Sequence, residues 1–105
     1  MSAGMSYDPE YSDVDNDGYA SGAVSVSTTQ IEAKVGASRM VGREAITITN
    51  KGPNTLYYGP TGVTSTTGDV LYKDQYVSLP IGASLGVFLI CATGQSATAI
   101  VQELS

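Results

Sequence analysis

The sequence of 105 residues has no histidine, no tryptophan and a single cysteine, Cys91. Without histidine there is no imidazole to act as a general base near neutral pH or to ligate a metal, and one thiol cannot close an intrachain disulfide. Serine and threonine nucleophiles are left unactivated, because Lys34, Lys51 and Lys73 stand in no Ser-x-x-Lys relation that could replace the missing base. Charge is scarce as well: 14% of residues are Asp, Glu, Lys or Arg, and no base precedes Lys34. Five scattered bases make no cationic stripe, which excludes nucleic acid as an expected partner. No run reaches the roughly 18 apolar residues of a membrane-spanning helix, so no membrane partner is expected. Met1 to Met5 offers neither the basic nor the apolar region of a signal peptide. A lone thiol without an export signal points to assembly in a reducing cytoplasm.

What the chain does contain is small and β-tolerant. Gly, Ser and Thr together make 35 of the 105 residues, and 42% of the chain is hydrophobic, enough for one modest core. From Val24 onward, short apolar or alternating runs are punctuated by turn residues. Strands are expected at residues 24–28, 30–35, 45–50, 56–59, 70–72, 75–79, 85–92 and 97–104. The clearest is Ala45-Ile-Thr-Ile-Thr-Asn50, in which Ile46 and Ile48 share one face and Thr47 and Thr49 the other. Residues 85–92 are almost continuously apolar, as expected of a strand buried on both faces or of a central strand in a sandwich. Short strands with turn signals every eight to twelve residues predict an all-β fold, a small antiparallel β-sandwich of jelly-roll type or a barrel.

Residues 1–22 form a different compositional zone. They hold five of the ten acids (Asp8, Glu10, Asp13, Asp15, Asp17) and three tyrosines (Tyr7, Tyr11, Tyr19), with almost no aliphatic side chain. Such a segment cannot build a core of its own. It is expected to be an extended arm that docks on a neighbouring chain, followed by a sandwich domain at 23–105. Tyr7, Tyr11 and Tyr19 would be its anchors, and Asp8 and Asp13 would set register by charge. Asp13-Val-Asp15-Asn-Asp17-Gly18 spaces carboxylates as a calcium loop does. Counting from Asp13, however, Ser21 takes the ninth position and Val24 the twelfth, where a bidentate carboxylate belongs. The acidic arm is therefore preferred over a calcium site formed by Asp13, Asp15 and Asp17, and no cofactor is expected.

Other chemistry is thinly supplied. Asp69 with Asp74, or Glu44 with Glu103, could be proposed as carboxylate pairs, but nothing in their spacing demands a cleft. The segment Gly59-Pro-Thr-Gly62-Val-Thr64 lacks the Gly-Lys-Ser/Thr and helix of a phosphate loop and reads as a plain turn. Cys91 lies in the most apolar run, where a thiol packs as a small hydrophobe. Tyr57, Tyr58, Tyr72 and Tyr76 could form an aromatic platform, and Tyr57 and Tyr58 are candidate partner-binding residues. No enzymatic activity is expected.

Several of these segments, in order, carry a resemblance. They are Arg43-Glu-Ala-Ile-Thr-Ile-Thr-Asn50, Leu56-Tyr-Tyr-Gly59, Gly62-Val-Thr64, Thr67-Gly68, and a closing stretch that ends Gln102-Glu-Leu104. Together they resemble small virion structural proteins of tailed bacteriophages, with an Arg-led strand ending in Asn, a Tyr-x-Gly turn and a last strand ending near Glu-Leu. The resemblance spans about residues 39 to 104. The sequence departs from it at Tyr72-Lys-Asp-Gln75, where a Gly turn is expected. It implies a β-sandwich that decorates or cements a capsid, with the major capsid protein and copies of itself as partners on a virion assembled in the bacterial cytoplasm. A neck, collar, tail or vertex component and a glycan or host-surface module are the alternatives.

Overall fold

The computed structural model describes residues 18–105. These contain eight strands and no helix: β1 (Tyr19–Val26), β2 (Ile31–Glu32), β3 (Ala45–Pro53), β4 (Leu56–Gly59), β5 (Asp69–Leu71), β6 (Tyr76–Leu79), β7 (Phe88–Cys91) and β8 (Ala97–Leu104). The strands form two four-stranded antiparallel sheets, ordered β1-β8-β3-β6 and β2-β7-β4-β5. The protein is an all-β sandwich.

One rule generates this order. Strands β1 to β4 run antiparallel to β8 to β5, each with its counterpart: β1 with β8, β2 with β7, β3 with β6, β4 with β5. The chain is thus a single long hairpin with its tip at residues 60–68. Rolled up, it brings β3 onto β8 and β4 onto β7. This is the jelly-roll arrangement, in which two sheets each give one face to a shared core.

Alternation decides which face. In β3, Ile46, Ile48 and Asn50 are buried while Thr47 and Thr49 lie on the outer side. In β8, Ala97, Ala99, Val101 and Glu103 point inward. Val26, Ile46, Ile48 and Val101 meet Leu56, Leu89 and Cys91 of the second sheet in one core cluster. Removing a side chain the size of Ile48 from water contributes about 2–3 kcal/mol. Val24, Leu71 and Val87 complete the core, with Ala33, Ala97 and Ala99 filling positions of minimal volume.

Several expectations change in the structure. The strand expected at 30–35 is reduced to the two residues of β2. Residues 19–22, expected in the arm, are the first half of β1 and pair with Leu104 to Val101. Backbone pairing with β8 needs no aliphatic side chains, and the inward residues here, Ala20 and Gly22, are small. The apolar run 85–92 yields only the four residues of β7, with burial alternating along it, and Leu85 is 63% exposed. β7 is central, as expected, but only one sheet covers it, so Phe88 and Ile90 are half-buried. At Tyr72-Lys-Asp-Gln75 a tight turn forms without glycine: Gln75 N donates to Tyr72 O (3.0 Å), and Asp74 takes φ 70°. Asp tolerates the left-handed region better than most side chains, which keeps β6 in register.

Candidate partner-binding surface

One end of the sandwich is closed by a buried ion pair. Arg43, just before β3, and Glu103, near the end of β8, are 3% and 1% exposed, with Arg43 Nη1 donating to Glu103 Oε2 at 2.8 Å. Glu103 also accepts from the backbone N–H groups of Val35 (3.0 Å) and Met40 (3.1 Å). Arg43 donates to the carbonyls of Ile81, Gly82 and Leu85. The pair thereby ties the loop before β3 and the loop before β7 to β8. Burial pushes the Glu103 carboxyl up, but the Val35 and Met40 amides and then Arg43 outweigh it and hold it below the usual range.

A second buried polar group braces the opposite end. Asn50 is fully buried; its Oδ1 accepts from Gly52 N (2.7 Å), and its Nδ2 donates to Asn54 O and Leu71 O (both 2.9 Å). One side chain thus fixes the irregularity between Asn50 and Pro53 and links β3 to β5 of the other sheet. At the hairpin tip, Val63 N donates to Pro60 O and Gly62 takes φ 88°. That angle at the third turn position is the one type II turns reserve for glycine. Thr64 and Thr67 close the remainder, with Thr64 Oγ1 accepting from Thr66 N and Thr67 N. The glycine-rich segment is a turn, as expected.

The surface best suited to a partner is the outer face of the β1-β8-β3-β6 sheet. Register sets its outward residues in rows: Tyr19, Leu104 and Ala45; then Ser21, Gln102, Thr47 and Ser78; then Ala23, Ile100, Thr49 and Tyr76. None of these is charged, whereas an ordinary solvated sheet face carries Lys and Glu; the charge on this side of β3 is the exposed Lys51, beyond the last row. Tyr19 and Tyr76 stand 62% and 70% exposed at its corners. Gln102 Nε2 donates to Tyr19 Oη at 2.9 Å, and Thr47 and Ser78 share a 2.9 Å hydroxyl hydrogen bond. These cross-strand bonds fix side chains that would otherwise lose entropy on docking.

The other predicted residues are scattered. Tyr57 and Tyr58 are neighbours on β4 and point to opposite faces. Tyr58 packs against the core cluster, while Tyr57 lies outward in a row with Val70 and Ile90. The four tyrosines cannot form one stacking platform: Tyr72 lies in the turn before β6, and of the others only Tyr58 and Tyr76, on β6 of the first sheet, border a common hollow. Tyr58 also borders an apolar hollow of about 260 Å³ between the sheets, with Asp69, Leu79 and Ile81. Desolvation, then the Asp69 carboxylate, pushes the Tyr58 hydroxyl above its ordinary pKa. Asp69 and Asp74 line different hollows, and Glu44 is exposed while Glu103 is buried, so neither carboxylate pair assembles. Cys91 is a buried thiol whose pKa burial raises. Tyr7, Asp8, Tyr11, Asp13, Asp15 and Asp17 lie outside the described residues. Among the described residues, no group of three or more His, Cys, Asp or Glu side chains could hold a metal ion.

No protein-family model matches the chain, and no curated protein matches it. The outer sheet face was not singled out in the sequence. Its signal is nonetheless present: Thr-x-Thr in β3, Ser-x-Ala-x-Ser in β1 and Thr-x-Ile-x-Gln in β8 are outward positions without one charge among them.

Proposed function

We propose that this chain is a non-catalytic structural subunit of a tailed-bacteriophage virion, a decoration or cement protein that lies over joints between major capsid subunits and stabilises the shell. The hydrogen-bonded outer face of β1-β8-β3-β6, uncharged over its three rows and flanked by Lys51 at the end of β3, carries this reading. Tyrosine-bearing surfaces depleted of charge have the composition of interface centres, and repetition on a symmetric shell multiplies a modest contact. Jelly rolls serve viral capsid proteins, lectins and cupins alike, so the fold alone does not choose among them. A histidine-based metal site is excluded by composition. A lectin reading rests on the row around Tyr57 and the hollow that Tyr58 shares with Tyr76, since the four-tyrosine platform does not assemble. The acids at Asp8 to Asp17, with Tyr7 and Tyr11, supply a second, charged contact to a neighbouring chain.

Mixing the purified chain with shells that lack it tests the reading. Thr47→Lys, which sets a charge in the middle of the outer face, is expected to weaken binding at least about tenfold, the effect of roughly 1.4 kcal/mol, with the circular dichroism spectrum unchanged. Tyr57→Ala is expected to leave binding intact. The opposite pattern, Thr47→Lys silent and Tyr57→Ala disabling, would favour the glycan or host-surface alternative.

A further inference from the structure

The two sheets have four edges, and three are blunted. β2 is two residues long and includes Glu32, β5 is three residues long and starts at Asp69, and β6 is four residues long and stops at Pro80. β1 is different: eight residues, Tyr-Ala-Ser-Gly-Ala-Val-Ser-Val, with no charge and no proline. Among the described residues only β8 pairs with β1, and a long, uncharged edge left unpaired on its other side is what natural sandwiches avoid unless it has a partner.

We propose that β1 is a self-pairing edge, at which a second copy of this chain adds its own β1 antiparallel, about a two-fold axis at Gly22. The hydrogen-bonding phase of the strand permits it. Ser105 N donates to Gly18 O at 3.1 Å, so in antiparallel alternation Ala20, Gly22, Val24 and Val26 bond to β8. Tyr19, Ser21, Ala23 and Ser25 then turn N–H and C=O to the open side. With the axis at Gly22, Tyr19 of one copy meets Ser25 of the other, and Ser21 meets Ala23. All four open residues on each strand are satisfied, by about eight new backbone bonds in total. The non-bonded pair at the axis, where strands approach most closely, is Gly22 against Gly22, which has no side chain to collide.

Charge selects both the occupant and the direction. An uncharged strand opposes a copy of itself without like-charge repulsion. Antiparallel pairing also sends the two acidic segments that precede Gly18 to opposite ends of the ribbon. At about 3.3 Å per residue these ends are roughly 25 Å apart, well beyond a Debye length of about 8 Å. Parallel pairing would set the five carboxylates of each copy side by side. Beside the edge, Ile31 is 40% exposed in a hollow with Glu32 and Lys34, an apolar contact for the incoming copy flanked by both signs of charge.

Sedimentation equilibrium of the full chain, combined with hydrogen exchange resolved by residue, tests this. A dimer is expected, in which the amides of Tyr19, Ser21, Ala23 and Ser25 gain protection as concentration rises. Ala23→Pro removes an N–H that β8 does not use, so the variant is expected to fold, to lose those protections and to sediment as a monomer. If Ala23→Pro does not fold, Ser21→Lys leaves every rung to β8 intact, sets two like charges near the axis, and is expected to weaken the dimer at least tenfold. A chain that stays monomeric at millimolar concentration would overturn the proposal. So would a dimer whose four edge amides exchange as fast as loop amides, or one that survives either folded variant. The proposal does not depend on what the outer face binds.

Discussion

At the scale of single residues, the least substitutable side chains are polar. Glu103 stands where period-2 counting from Ala97, Ala99 and Val101 puts an inward residue, so its burial was legible in the sequence; its partner Arg43, on the opposite half of the hairpin, was not. Breaking such a pair leaves a buried charge, and Glu103→Ala is expected to cost about 3–5 kcal/mol in a urea melt. Because the folded-state carboxyl is held below its ordinary value of 4.5, its contribution is complete above that value and is lost as pH falls through the folded pKa. Wild-type stability is therefore expected to drop on the acid side of 4.5, and Glu103→Gln to be weaker at neutral pH with a flatter acid limb. Equal acid slopes for the two proteins would contradict this assignment. Asn50→Ala should strand the Gly52 amide and two carbonyls, at about 1–3 kcal/mol for each group left unsatisfied, read by thermal denaturation.

At the scale of elements, alternation or bounding turn residues made some strands legible in the sequence and left others misread. β3 begins where the pattern puts it because its inward and outward residues differ in kind, while β4 and β8 begin where they are expected because turn residues bound them. β7 was read too long because Leu85, Gly86 and Val87 are apolar but belong to a loop held by Arg43 through the Leu85 carbonyl. β1 was read too short because ladder bonds, not aliphatic side chains, recruit residues 19–22. The alternation itself predicts a contrast in β3. Ile48→Ala is expected to cost about 2–5 kcal/mol in chemical denaturation as a cavity opens between the sheets. Thr49→Ala, one residue on and on the outer face, is expected to change stability by less than about 1 kcal/mol.

At the scale of the whole molecule, an all-β sandwich of jelly-roll type or a barrel followed from composition and spacing, but the individual strand pairs that make it a rolled hairpin did not. Its defining pairs, such as Tyr19 with Leu104, join the two ends of the described chain, and local propensity carries no trace of them. The candidate surface was hidden for the same reason: its rows draw on four strands whose order only the topology supplies. The carboxylate pairs that spacing offered, Asp69 with Asp74 and Glu44 with Glu103, failed for the same reason, since only the topology decides which strand ends meet. The most direct test of the proposed role is the copy number of this chain per purified virus particle, by quantitative mass spectrometry against the major capsid protein. A ratio near one, or a simple fraction such as about one third, is the result expected of a subunit that repeats over the joints of a symmetric shell. A count of only a few to a dozen copies, or none, would contradict it.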